Sequence, residues 1–290
     1  MIAVDWGTTS FRAFRLKNRQ ITDRCHSTTG ILHVEPDGFE PALRAQIGHW
    51  LEAGENNVLM SGMIGSRQGW AEAPYLECPS GPDDLAAALT PVPFRGASVA
   101  VVAGLQSQDD DGTPEVMRGE ETQLVGAMSG MDDDAIACLP GTHSKWATVA
   151  GGRISRFSTH MTGEVFAALR GHTILGRMMR DGPTCAGPFL HGVARSREAG
   201  GLLHHLFGVR TLGLLGSLPE TEAASYLSGL LIGHEIEAAA PAGTVHLIGA
   251  ESLCALYALA LEQRGTRTER AAPDVAAAGL ALIAERVGWN

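Results

Sequence analysis

Short apolar runs alternate with glycine-bearing polar turns along this chain, and the spacing of the apolar positions predicts its elements. Ile2, Ala3 and Val4 form an unbroken apolar run that stops at Asp5, the pattern of a buried strand. "FRAFRL" resumes in alternation, with Phe11 and Ala13 set apart by Arg12 and Arg15, so Gly7-Thr8-Thr9-Ser10 fall in a tight turn between two strands. "RQITDRCHSTTGI" predicts a third strand closing a meander. In "GFEPALRAQIGHWLEAG", Leu43, Ile47, Trp50 and Leu51 share one helical face and Gly54 stands where a helix ends. "NVLMSGMIGS" and "SVAVVAGLQSQ" read as buried strands flanking the short helix "DDLAAAL". A loop, a helix from about Glu120 and an acidic loop through Asp132-Asp133-Asp134 follow.

A second series then begins. "AIACLPGTHSKWATVAGGRISRFSTHMTG" is strand, glycine–hydroxyl turn, strand, Gly-Gly turn, strand. It echoes the start: "VDWGTTSFRAFRL" against "CLPGTHSKWATVA", a short internal repeat near the head of each half. The remainder is mostly helical. "TGEVFAALRGHTILGRMM" starts from an N-cap at Thr162, and "SLPETEAASYLSGLLIGHEIEAAA" has Ser217 and Pro219 at its start. The strand "GTVHLIGA" runs into the helix "ESLCALYALALEQRG", and "APDVAAAGLALIAERVG" closes the chain. No Pro/Ser-rich linker separates the halves, so the expectation is two lobes joined by crossing segments, 1–118 and 119–290.

Composition narrows the classes. At 290 residues, 44% hydrophobic and 19% charged, the chain can fill a sizeable core. Its 36 glycines follow apolar runs, as tight turns do, rather than clustering in a linker. A net charge of -10 argues against nucleic acid or an anionic membrane as partner, and requires local arginines or a metal for any anionic ligand. Five scattered cysteines read as reduced thiols of a cytoplasmic protein. The first residues lack the pattern of a signal peptide, and no run approaches the ~18 apolar residues of a membrane span.

Three glycine turns, each following an apolar strand, carry the candidate chemistry: "DWGTTS", "PGTHSK" and "IGAESL". Backbone N–H groups unobstructed by side chains, with hydroxyls beside them, can hold phosphates. Asp5, a carboxylate at a strand end beside such a turn, suits a metal–phosphate group; an ordinary hairpin with a polar turn is the competing reading. Neither G-x-x-x-x-G-K-[ST] nor a strand-linked G-x-G-x-x-G occurs.

Together these turns resemble the superfamily of actin, hexokinase and heat-shock chaperone ATPases: "DWGTTSFR" its first phosphate motif, "GTHSKW" its second, "LIGAESL" its adenosine motif, with Ala250 in place of the usual second glycine. "SGMIGSRQGWAEAPYLECP", "VMRGEETQLVGA", "LPGTHSKW", "STHMTGEVFAAL" and "SYLSGLLIGHEI", in that order, narrow the resemblance to 2-dehydro-3-deoxygalactonokinases over nearly the whole chain. The resemblance implies an α/β, two-lobed ribonuclease H-like fold of the actin/hexokinase type with a nucleotide cleft between lobes. It further implies phosphorylation, by ATP with Mg²⁺, of the 6-hydroxyl of 2-dehydro-3-deoxy-D-galactonate in galactonate catabolism. A kinase for another sugar or sugar acid, or an ATP-gated regulatory protein, is the alternative, and a homodimer stays open.

On that basis Asp5 holds Mg²⁺ and Gly7, Thr8, Thr9 and Ser10 receive ATP phosphates, with Gly141, Thr142 and His143 doing so from the second turn and Gly249 and Ala250 facing adenosine. The base is Glu120, placed where the related motif has its carboxylate, or Glu121; adjacent helical residues point about 100 degrees apart, so one of them faces the site. A sugar acid needs a cation for its carboxylate. Arg67 is the candidate, with Gln68 and Trp70 beside it, and a pairing of Arg67 with Glu72 is the alternative.

Overall fold

A computed structural model describes residues 1–132 and 134–289. Asp133, within the acidic run expected to be a solvated loop, lies outside the described residues. The chain opens with β1 (Ile2–Trp6), β2 (Phe11–Lys17) and β3 (Gln20–Ser27), the predicted meander. Helix α1 (Phe39–Glu52) leads to β4 (Asn57–Ser61), β5 (Tyr75–Glu77), α2 (Pro82–Ala87), β6 (Thr90–Val92), β7 (Ser98–Val101), β8 (Gly104–Gln108), β9 (Pro114–Met117) and α3 (Glu120–Ala127). The second series is β10 (Ala135–Leu139), β11 (Ser144–Ala150), β12 (Arg153–His160), α4 (Thr162–His172), α5 (Ala186–Ser196), α6 (Gly201–Leu214), α7 (Ala223–Ala239), β13 (Val245–Leu247), α8 (Glu251–Glu262), β14 (Thr268–Arg270) and α9 (Val275–Arg286).

Packing divides the chain into two compact units. Met1–Asp134, Ala147–Phe157 and Ala271–Asn290 form the first; Ala135–Trp146 and Ser158–Arg270 form the second. The two principal sheets run β3-β2-β1-β4-β7-β6 and β12-β11-β10-β13-β14. Each therefore places its own first three strands in reverse order and inserts the next strand beside the first. This is the ribonuclease H-like arrangement, and the short sequence echo at the head of each half is its trace.

In the first unit Ile2, Val4 and Trp6 pack with Leu43, Ile47 and Trp50 of α1, the predicted apolar face. The pairing register sets what the strand end presents. Asp5 lies opposite Arg12 on antiparallel β2 and opposite Ser61 on parallel β4. In the second unit α5, α7 and α8 cover β10 and β13 through Phe189, Val193, Ile232, Ile236, Tyr257 and Leu261.

Four elements differ from the sequence expectation. "SVAVVAGLQSQ" is two strands in different sheets, because an unbroken apolar run does not reveal where the chain leaves one sheet for another. The stretch before α3, expected as loop, contains β9, which pairs antiparallel with β8 and starts on Pro114, where the missing N–H is tolerated. Thr162 is the first helical residue of α4 rather than its cap, and the long helix expected from Ser217 begins at Ala223, after a turn in which Glu222 N–H donates to the Pro219 carbonyl.

Candidate active site

The first turn is held from behind. Gly7 N–H donates to the Ser10 carbonyl at 2.9 Å, while Ile31 N–H and Leu32 N–H donate to the Gly7 and Thr8 carbonyls at 3.0 and 3.2 Å. Gly30 makes this approach possible, since a Cβ there would stand 2.3 Å from Thr8 O and Thr9 N. The Thr8 and Thr9 residues are left exposed to solvent, with Gly7 and Ser10 partly so. Asp5, nearly buried and next to the last residue of β1, forms an ion pair with Arg12.

The start of α3 meets the end of β4 in the same unit. Gly62 and Gly119 both have φ in the left-handed region, at 94° and 105°, and a Cβ on Gly119 would lie 3.1 Å from Gly62 Cα. A Cβ on Gly62 would lie 3.3 Å from Asp5 Oδ1, so the Asp5 carboxylate faces a surface that carries no side chain. Thr122 Oγ1 bonds the Ser61 hydroxyl at 3.2 Å and donates to the Gly119 carbonyl at 2.7 Å, tying α3 to the strand beside β1.

The two glutamates have different surroundings. Glu120 is half-buried and accepts from Arg118 N–H at 3.0 Å. Glu121 is fully buried; its Oε2 accepts from Gly119 N–H at 2.7 Å, and its Oε1 has no hydrogen-bond partner among the described residues. Burial, then the Glu120 charge, push the Glu121 carboxyl up to about 8, against the opposing pull of backbone N–H groups and Arg118. Arg118 is itself buried, lies over the Tyr75 ring and donates from Nη2 to the Ala73 carbonyl at 2.8 Å. A carboxyl poised near neutrality with a spare acceptor oxygen can take a proton from a hydroxyl.

The second turn has the same kind of support. Gly163 at the head of α4 lies against it, a Cβ there falling 2.5 Å from the Gly141 carbonyl, and Glu164 N–H donates to the Thr142 carbonyl at 3.0 Å. Thr142 and His143 are exposed, and His143 pairs with the Glu164 carboxylate. Lys145 is buried, its Nζ donating to Thr159 Oγ1 at 3.0 Å. Gly249 and Ala250 are exposed between β13 and α8, with Gly249 close to the Pro140 carbonyl that precedes the turn.

Beside this turn, wholly within the second unit, is a cavity of about 310 Å³. Gly141, Thr162 and Gly163 form its turn side, Ser225 and Ser228 a polar edge, and Phe166, Leu253, Leu256 and Tyr257 an apolar wall. Its size and mixed lining suit a flat, partly polar ligand such as a nucleoside. Gly141 was legible in the sequence but the helical wall was not, because positions 253, 256 and 257 read as an ordinary buried helix face.

Arg67, Gln68 and Trp70 do not share one setting. Arg67 and Gln68 are exposed, and Arg67 Nε lies 3.4 Å from Glu72 Oε1. Trp70 packs against Phe39 and Phe94 at the edge of the core. Among the described residues no three His, Cys, Asp or Glu side chains gather as a metal cage. The donor set at Asp5 still fits Mg²⁺, which commonly takes one or two carboxylates and completes its shell with water and phosphate oxygens.

The family described as 2-keto-3-deoxy-galactonokinase matches residues 5–283. A Rhizobium meliloti (strain 1021) protein named "Probable 2-dehydro-3-deoxygalactonokinase DgoK1" is 37% identical over 98% of this chain and 96% of its own length. The 2-dehydro-3-deoxygalactonokinase of Escherichia coli (strain K12) is 34% identical over 99% and 98%. A solved structure from Sinorhizobium meliloti, whose name assigns it to the same kinase, has 35% identity and a TM-score of 0.91 over 99% of each chain.

Proposed function

Since the chain belongs to the 2-keto-3-deoxy-galactonokinase family, we propose that it is an ATP-dependent sugar-acid kinase that phosphorylates the 6-hydroxyl of 2-dehydro-3-deoxy-D-galactonate in galactonate catabolism. The single observation that carries the chemistry is Glu121: a buried carboxyl raised to about 8, with one oxygen unpartnered among the described residues, at the start of a helix beside the Asp5 strand end. Glu121 accepts the proton of the attacking hydroxyl. Glu120, the first choice on sequence grounds, lies next to it and raises its proton affinity.

The hydroxyls of Thr8, Thr9 and Ser10 and the N–H groups around Gly7 receive phosphate oxygens, and Gly141, Thr142 and His143 do so from the second turn. The cavity beside Gly141 takes the adenosine, with Gly249 and Ala250 at its approach. Asp5 is the residue that would hold Mg²⁺, which when bound supplies charge neutralisation for the transferring phosphoryl group. Arg67 takes the substrate carboxylate, exchanging Glu72 for it, with Gln68 and Trp70 in the same loop. Gly7–Ser10 and the sugar-acid loop lie on segment 1–118, the second turn and adenosine residues on 119–290.

The setting is proposed to be cytoplasmic. Free cysteines support this, and among the described residues no helix is long and apolar enough to cross a membrane. A homodimer is proposed as the assembly, since α6 exposes Leu203, Phe207 and Leu214 with Leu215 just beyond, the kind of apolar patch that marks an interaction surface. Sedimentation of the wild type and Phe207→Glu tests it.

The test of the reaction is ADP release with MgATP and a panel of 2-keto-3-deoxy sugar acids, their C4 epimers and neutral sugars. Turnover confined to the galacto-configured acid supports the full assignment. Turnover with a neutral sugar keeps the kinase and overturns the carboxylate pocket. Bound ATP without turnover on any acceptor favours the ATP-gated regulatory reading.

A further inference from the structure

One buried carboxylate in the second unit takes no part in the chemistry above. We propose that Glu235, on α7 and outside the cavity, is a positioning residue for the nucleotide: through Tyr257 and Ser144 it fixes the shape of the phosphate turn at Gly141. This rests on the reading that the turn and the adjoining cavity hold ATP.

The connection is a chain of hydrogen bonds with one possible direction. Both Glu235 oxygens are acceptors: Oε1 from Trp146 Nε1–H at 2.8 Å and Oε2 from the Tyr257 hydroxyl at 2.6 Å. Tyr257 has a single hydroxyl hydrogen, and Glu235 takes it. The Ser144 hydroxyl, 2.9 Å from the Tyr257 oxygen, must therefore donate to it. That leaves the Ser144 oxygen as acceptor for Gly141 N–H, at a long 3.5 Å. Glu235, Tyr257 and Ser144 are all nearly or wholly buried, so water does not substitute for a lost partner. Tyr257 also forms part of the cavity wall, so one carboxylate orients both a wall residue and the turn that closes the cavity.

The geometry makes Glu235→Gln a sharp variant. A carboxamide is nearly isosteric but carries an NH₂ group. With its oxygen toward Trp146, its NH₂ must donate to Tyr257. The Tyr257 hydrogen then turns to Ser144, whose oxygen must accept from both Tyr257 and Gly141 N–H while its own buried hydrogen loses the Tyr257 acceptor. With the amide flipped, two N–H groups face each other at Trp146. The first orientation keeps the Trp146 bond and reverses the path to the turn, so it is the one expected, and side-chain volume is unchanged.

The experiment is steady-state kinetics with MgATP and 2-dehydro-3-deoxy-D-galactonate, calorimetric binding of MgADP, and thermal melting, on wild type, Glu235→Gln, Tyr257→Phe and Trp146→Phe. Tyr257→Phe keeps the ring in the cavity wall and removes only the linking hydroxyl. Trp146→Phe removes the other bond to the same carboxylate and leaves the path to the turn intact. Glu235→Gln and Tyr257→Phe are expected to raise KM for ATP and Kd for MgADP about tenfold, with kcat within about threefold and KM for the sugar acid unchanged. Trp146→Phe is expected to lower Tm comparably while leaving KM for ATP in place. If Tyr257→Phe and Trp146→Phe lower Tm alike and neither moves KM for ATP selectively, Glu235 is structural and the inference is overturned. Should Glu235→Gln fail to fold, Tyr257→Phe decides alone. A wild-type chain that does not bind MgADP would instead overturn the nucleotide reading itself.

Discussion

The two glycine–hydroxyl turns occupy equivalent places in their sheets and share a means of support. Each follows the first strand of a 3-2-1-4 order, and each is backed by a glycine with no room for a Cβ, Gly30 behind Thr8 and Gly163 behind Gly141. Their surroundings differ. Near the first are Asp5, Arg12, Arg118, Glu120 and Glu121, and the most buried of these carboxyls keeps an oxygen without a partner among the described residues. Near the second, the buried carboxylate of Glu235 has both oxygens occupied, and the space beside the turn is walled by apolar side chains. An unmet acceptor costs stability and is suited to a proton that arrives with substrate. A satisfied network holds a shape. One repeated scaffold thus carries two different surroundings, an unmet acceptor in one copy and a closed network in the other, which match the proposed division between reaction and binding.

The largest expected effect tests the reactive side. Glu121→Gln should reduce kcat roughly 100- to 10,000-fold, as loss of a general base does, with little change in KM for ATP. Glu120→Gln should cost much less, and the opposite ranking would exchange the two roles. The pH dependence gives a second check. A base must be ionised to accept a proton, so kcat/KM should rise with pH and level off above about 8. Stability should run the other way. The folded carboxyl binds its proton more tightly than the unfolded chain, so its stabilising contribution is complete below the ordinary carboxylate range and is lost as pH rises toward about 8. Melting of wild type against Glu121→Gln across that window should show the decline in the wild type alone.

The next test addresses the shared support. Gly30→Ala has compatible backbone angles, so its effect is purely steric: the new methyl must displace Thr8 and Thr9, at about 1–3 kcal/mol, and ATP binding should weaken. Gly163→Ala lies within α4, where alanine would ordinarily add ~1 kcal/mol of helix stability. The collision with the Gly141 carbonyl should reverse that sign. Gly171→Ala in the same helix, with no neighbour near its added methyl, should keep the ordinary gain. Equal gains at 163 and 171 would remove α4 as the support of the second turn.

The scaffold was more legible in sequence than the surroundings that distinguish its two copies. Apolar runs and the glycine turns are local signals, so β1, β2, α1, β10 and both turns could be read directly, and the motif order carried the fold. Residues that act across long separations left no comparable mark. Ser144 and Tyr257 are 113 positions apart, and Trp146 and Glu235 are 89 apart. Glu235 sits in "SGLLIGHEI", where the surrounding apolar residues predict a buried helix but not which partner its carboxylate meets. The choice between Glu120 and Glu121 was equally closed to sequence, because it turns on burial and on which oxygen the Arg118 and Gly119 N–H groups occupy.

The smallest expected effect asks whether binding divides cleanly between the two regions. Arg67 is exposed and its contact with Glu72, at 3.4 Å, is loose, so releasing it to a substrate carboxylate costs little. Arg67→Ala should raise KM for the sugar acid about three- to tenfold, with KM for ATP and Tm unchanged. Arg67→Lys should recover part of the loss, since an ammonium restores the charge but not the paired donors of a guanidinium. Glu72→Ala should act in the opposite direction, lowering KM for the acid by removing the competing carboxylate. A silent Arg67→Ala would shift attention to Arg118, whose buried Nε and Nη1 have no hydrogen-bond partner among the described residues and which lies beside Glu120 and Glu121. The sugar acid would then be held by the same charged group that adjusts the base, and the reactive region would bind and react with one set of residues.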